Sequence, residues 1–201
     1  MRTSSAVLRG KSPVSALLTL TELIEQDIRR WFEDFLTKPN AFYQHKFVPC
    51  PFAEKAIKQQ TVDILVWEEG DVRTFVRKGA ETMRDHPKLT TRVMVFPPHV
   101  QFQWGLSEFV ESLNMELIST NVFLNTGVCQ TTKSRYPGSK PNDPYFMIVA
   151  NSLAAVLAGA KSLSKTDFYK DWPAEHYEIV VKRRARLARK FGIQPEKPQP
   201  T

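Results

Sequence analysis

Residues 61–96 read TVDILVWEEGDVRTFVRKGAETMRDHPKLTTRVMVF, and the order of their hydrophobic periods decides the fold. TVDILVW (61–67) has the β-branched richness of a buried strand. Glu69, Gly70 and Asp71 then supply a turn and a helix cap. After them Val72, Phe75, Val76 and Met83 recur on a helical period. TTRVMVF (90–96) is a second strand, stopped by Pro97 and Pro98.

Further downstream, GLSEFVESLNMELI (105–118) is helical through Leu106, Phe109, Val110, Leu113 and Leu117, and TNVFLNTGV (120–128) is a third strand. Strand, helix, strand, helix, strand is the pattern of βαβ units, which place helices against a sheet. The expected class is α/β: a small, mostly parallel sheet of about three or more strands flanked by helices. An α+β two-layer sandwich accounts for the same element order.

Upstream, TLTELIEQDIRRWFEDFLT (19–37) is an amphipathic helix in which Thr19 and Glu22 fit a capping box and Ile24, Ile28, Trp31 and Phe35 share a face. Pro39 and Asn40 end it. A second helix is expected from Pro51, whose fixed φ suits a first helical turn, through FAEKAIKQQ.

The polar stretch CQTTKSRYPGSKPN (129–142) reads as a long loop. Asp143 as N-cap and Pro144 at the first helical position then predict a helix to about Leu163. A final helix is expected from Pro173 to Gly192. In it Tyr177, Val181, Arg184 and Ala188 lie on one line, and Val180, Leu187 and Phe191 on another. The expected organisation is a flexible start (1–15), one domain (16–192) and a Pro-rich tail (193–201).

A chain of 201 residues with 42% hydrophobic content can fill one core. Its greasiest run, FMIVANSLAAVLAGA (146–160), is interrupted by Asn151 and Ser152 and falls short of the roughly 18 apolar residues that argue for a membrane span. Two cysteines, Cys50 and Cys129, are too few for a disulfide scaffold, so a reducing, cytoplasmic setting is expected. The basic, Ser-rich, acid-free opening MRTSSAVLRGKSPVS has the composition of an organelle transit peptide and equally of a frayed terminus.

The net charge of +7 is unevenly spread. Removing the six cations of KRRARLARK (182–190) and the three of the opening leaves a net −2 for the remainder. Lys182, Arg183, Arg184, Arg186, Arg189 and Lys190 are thus the candidate contact for nucleic acid or an acidic protein partner. Such runs also complement a helix C-terminus and face water, and no aromatic residue interleaves with them as a single-strand binder requires.

Cys50 is the candidate catalytic residue. A thiol at a helix N-terminus faces free N–H groups and the positive end of the dipole, which favour the nucleophilic thiolate and lower the pKa. The competing reading is a small buried apolar residue. His45, five residues earlier, and His99, at the end of the second strand, are the candidate bases. Arg135, Asn142 and Tyr145 are candidate substrate contacts. His45, His86, His99 and His176 show no paired ligand spacing, so no metal is expected. There is no P-loop, GxGxxG or GxSxG, and no cofactor follows from the motifs.

CPFAEKAIK (50–58) resembles the thioredoxin and glutaredoxin active-site turn, in which Cys-Pro opens a helix between two strands. Ala53 stands where the resolving cysteine would be, which excludes a local dithiol mechanism. PCPFAEKA (49–56) also resembles a bacterial family catalogued as a domain of unknown function, whose members carry Leu-Cys-Pro-Phe-Ala after an N-terminal helix. Pro49 here replaces the leucine.

VMVFPPHVQFQWGLSEFVESLNMELI (93–118) and PNDPYFMI (141–148) are similar to later segments of that family. The resemblance implies a fold and a cluster of Cys50, Pro51, Phe52, Asn142, Pro144 and Tyr145, but no reaction. After the third strand the family tends to show Phe-His-Pro, where this chain has NTGVCQ.

Overall fold

The computed structural model describes residues 18–100, 105–126 and 145–196. The expected flexible start (1–15), the loop with Cys129, Arg135 and Asn142, the cap pair Asp143 and Pro144, and the last five residues of the tail lie outside them.

The first strand and helix of the opening stretch form as their periods dictate: β1 (Val62–Val66) leads into α3 (Val72–Arg84), which follows the short helices α1 (Leu20–Trp31) and α2 (Pro51–Lys58). Asp71 caps α3 by accepting from the Thr74 N–H at 2.7 Å, and α1 carries the expected capping box between Thr19 and Glu22. Then come β2 (Thr91–Phe96), α4 (Leu106–Leu117), β3 (Val122–Thr126), β4 (Phe146–Ser152), α5 (Leu153–Leu163), α6 (Ala174–Tyr177) and α7 (Arg183–Lys190). Between α6 and α7 the helix continues through a π-type turn, Glu178–Lys182, and a second π-type turn, Phe32–Leu36, extends α1.

A single four-stranded sheet flanked by helices results, in the order β1-β2-β4-β3. β1 and β2 pair in parallel across α3, while β4 pairs antiparallel with both β2 and β3. The sheet is therefore mixed, and its parallel part is confined to the pair encoded by residues 61–96.

The difference from the expected mostly parallel sheet comes from one segment. Residues 146–152, expected as the first half of a helix, are a strand. Met147, Ile148 and Ala150 are all buried because β4 is central and covered on both faces. A strand buried on both faces shows no polar alternation and cannot be told from a buried helix by period. The true helix start is Ser152, whose Oγ accepts from the Ala155 N–H at 3.2 Å.

One face of the sheet packs Met94, Phe96, Leu124, Ile148 and Ala150 against Val76, Ala80 and Met83 of α3 and Val110, Leu113 and Leu117 of α4. The opposite face is covered by two separate groups. Ile24 and Ile28 of α1, with Phe32, lie on Ile64, Val93, Val95 and Met147. Leu153 of α5 and Ala188 of α7 lie with Phe123 and Ile118 at the β3 side.

At the start of the Pro-rich tail, Ile193 packs on this last cluster, and the Glu196 N–H donates to the Ala154 carbonyl at 3.1 Å. Among the described residues no helix is long and apolar enough to cross a membrane.

Candidate functional site

Cys50 sits immediately before α2, with Pro51 at the first helical position as expected. Its own N–H donates to the Leu36 carbonyl at 3.1 Å, at the end of the π-type turn Phe32–Leu36. The loop that delivers it is tightly tied. Asn40 donates its N–H to the Phe47 carbonyl and accepts from His45 and Tyr43 N–H groups through its own carbonyl, each at 3.0 Å.

Aromatic packing then fixes this loop to the segment before α6. Tyr43 stacks on Phe168 with ring centroids 4.7 Å apart, Phe47 meets the same ring edge-on, and Trp172 donates its Nε1–H to the Tyr43 hydroxyl at 3.0 Å. Tyr169 continues the cluster onto Trp172 and Tyr177. The aromatic residues of DFYKDW (167–172) were not singled out by periodicity, since they lie in a 3-10 turn and a bend where neither helical nor strand period applies.

α7 brings Arg184 into the same region. Its guanidinium lies over the Phe123 ring, 5.5 Å from the centroid, and donates to Asn125 Oδ1 on β3. Cys50, Tyr169 and Arg184 are each half-buried and close enough to perturb one another's charge. Tyr43 and Tyr177 also act on Tyr169. Burial pushes the Tyr169 phenol up to about 12 and pushes Arg184 down to about 10, since a desolvated site disfavours either charge.

At Cys50 the outcome reverses the expectation of an activated thiolate. The Ala53 and Phe52 N–H groups at the helix start and the Arg184 cation do pull the thiol pKa down, but desolvation is larger and leaves it raised. At neutral pH the sulfur is a thiol.

The other candidates fall in different places. His45 is exposed and adopts a positive φ of 59°; His99 is exposed, with its ring 6.1 Å from that of Trp67. Among the described residues neither is hydrogen-bonded to Cys50, so no histidine is placed as its base. Tyr145 donates its hydroxyl to Asp27 Oδ2 at 3.2 Å, tying β4 to α1, and burial together with that carboxylate raises its pKa.

The likeness to the thioredoxin turn does not extend to its setting: α2 is entered from the loop at 37–50, not from a strand. Among the described residues no group of three or more His, Cys, Asp or Glu gathers as a metal site.

The basic run is also not one surface. Arg183 pairs with Glu111 of α4, Arg186 pairs with Glu178, and Lys182 lies 3.5 Å from the same Glu178. Arg184 points inward. Arg189 and Lys190 remain exposed on the last turn, where they complement the helix dipole. The line Tyr177, Val181, Arg184 and Ala188 carried the signal for this inward turn, since Ala188 is buried and Arg184 is on its side of the helix.

The site is thus the Cys50 thiol ahead of α2, the Arg184 guanidinium of α7 and the Tyr169 phenol, without a carboxylate among the described residues that act on them. Compared with family models, curated proteins and solved structures, the chain has no match.

Proposed function

We propose that Cys50 and Arg184 form the working site of this chain and that its activity, enzymatic or redox, depends on the Cys50 thiol and a small-molecule or protein substrate. The observation that carries this reading is the convergence of Cys50, Tyr169 and Arg184 from three distant segments onto one half-buried region, with no carboxylate among the described residues acting on it. A cation held there favours any negative charge formed beside it, including the thiolate.

The chemistry is that of one cysteine, because Ala53 leaves no local resolving thiol, and it belongs to a reducing compartment. Membership of the Leu-Cys-Pro-Phe-Ala family is part of the same proposal, supported by PCPFAEKA, and adds no reaction to it. Contact with nucleic acid or an acidic partner through the basic run 182–190 has less support, since three of its six cations are paired with carboxylates and a fourth is turned inward.

Alkylation of the folded protein by iodoacetamide across pH tests the reading. Reaction at Cys50 is expected to rise along a titration curve displaced above that of a free thiol. A sulfur that stays unmodified at every pH where the fold persists would make Cys50 structural and end the proposal.

A further inference from the structure

Arg184 is a half-buried cation that pairs with no acid among the described residues. A guanidinium carries five N–H donors. Among the described residues its hydrogen-bond acceptor is Asn125 Oδ1, a neutral amide oxygen, and its other close partner is the face of Phe123. Neighbouring Arg183 sharpens the contrast, because it has found Glu111. Removing a charge from water without a counter-ion is costly, and charges held away from water are ordinarily paired and hydrogen-bonded.

The groups around Arg184 add no second cation. Arg183 is spent on Glu111, and the backbone N–H groups of Phe52 and Ala53 face the Cys50 sulfur. The remaining walls, among the described residues, are aromatic: Phe123 beneath the guanidinium, and Tyr169 near enough to act on its charge.

We propose that this region binds a small organic carboxylate, its two oxygens taken by the Arg184 fork and its apolar body set against the aromatic walls. A planar monoanion matches a single guanidinium in both shape and charge. A phosphate dianion would leave one negative charge unmatched beside a thiol and phenols that already resist ionisation. The inference deepens the site just proposed, yet it requires only Arg184 and not a reactive Cys50.

The test is binding to the full chain, read by isothermal titration and by thermal melting, with sodium benzoate, acetate, phosphate and chloride at matched ionic strength. Benzoate is expected to bind and raise the melting temperature, acetate to do so more weakly, and phosphate and chloride to do neither. Arg184→Met and Arg184→Gln, checked for a native melt, are expected to weaken benzoate at least tenfold, whereas Arg189→Met, at an exposed cation on the last turn of α7, keeps it. Failure of benzoate to stabilise the wild type beyond chloride, retention of its binding by both Arg184 variants, or tighter binding of phosphate would each overturn the proposal. A chain whose Cys50 resists alkylation but which still binds benzoate through Arg184 would retain this inference while losing the thiol reading.

Discussion

The ring of Phe52 occupies the space that a side chain at position 159 would need: a Cβ added to Gly159 would lie 2.2 Å from Phe52 Cε1 and 2.8 Å from Cδ1. This close approach locks the first turn of α2, and with it Cys50, against α5. Alanine in a helix interior ordinarily gains about 1 kcal/mol over glycine. Here overpacking, typically about 1–3 kcal/mol, opposes that gain. Gly159→Ala is expected to lower the melting temperature, and adding Phe52→Leu to recover part of the loss. A more stable Gly159→Ala protein would show that α2 and α5 do not meet this closely.

Asn114 closes the open edge of the sheet. β3 is an edge strand, and the side chain of Asn114, itself buried on α4, donates to the Leu124 carbonyl at 3.0 Å and accepts from the Leu124 N–H at 2.7 Å. It thereby takes the place of a neighbouring strand. Asn114→Leu strands both backbone groups, at about 1–3 kcal/mol for each one left unsatisfied. A clear drop in the urea midpoint is expected, together with faster exchange of the Leu124 amide. Unchanged exchange in the variant would refute the role.

Arg92 is the buried charge that is compensated, and its behaviour should differ from that of Arg184. It is 4% exposed and donates to Asp63 Oδ2 at 2.8 Å, to the Gly79 carbonyl at 2.9 Å and to Thr82 Oγ1 at 2.6 Å. Removing one partner of such a pair costs about 3–5 kcal/mol, whereas replacing both by apolar residues is often neutral. Asp63→Ala is expected to destabilise strongly, and Asp63→Leu with Arg92→Met far less. If the double variant is as unstable as the single, the pair is a net stabiliser instead.

The comparison of Arg92 with Arg184 shows what the sequence could and could not convey. Capping residues such as Thr19, Asp71 and Pro51 act locally, so helix starts were legible from short strings. The strands β1 to β3 were legible because turns and helices of clear period bound them. β4 was not, because its two-sided burial erases the alternation that marks a strand, and the apolar residues of α5 follow it without a break. The site was half legible. Cys50 at a helix start follows from Cys-Pro, but its desolvation depends on residues more than 100 positions away. Likewise Arg184 stood among five other cations, and only its spacing from Ala188 separated it from them.

The pH dependence of stability follows from the same cluster, and its sign differs between members. Cys50 and Tyr169 hold their protons more tightly when folded, so the stability they add is complete below their ordinary pKa values, about 8.5 and 10, and fades above them. For Tyr169 the loss runs up to about 12. Arg184 works the other way: its folded pKa is depressed to about 10, so its burden is full below that pH and is relieved above it. Between about pH 8.5 and 10, therefore, Cys50 is the member of the cluster whose titration erodes stability, and Cys50→Ala is expected to flatten that part of the curve. Above pH 10 the Tyr169 loss and the Arg184 gain oppose each other, and Arg184→Met, which removes the gain, should fall more steeply than wild type. At neutral pH the same variant should be at least as stable as wild type, because it removes a half-buried charge that no described carboxylate matches. Urea midpoints from pH 7 to 11 for the three proteins measure all of this. A Cys50→Ala curve parallel to wild type between pH 8.5 and 10 would mean that the sulfur is solvated, and an Arg184→Met protein much weaker at pH 7 would mean that the guanidinium is already neutralised in the fold.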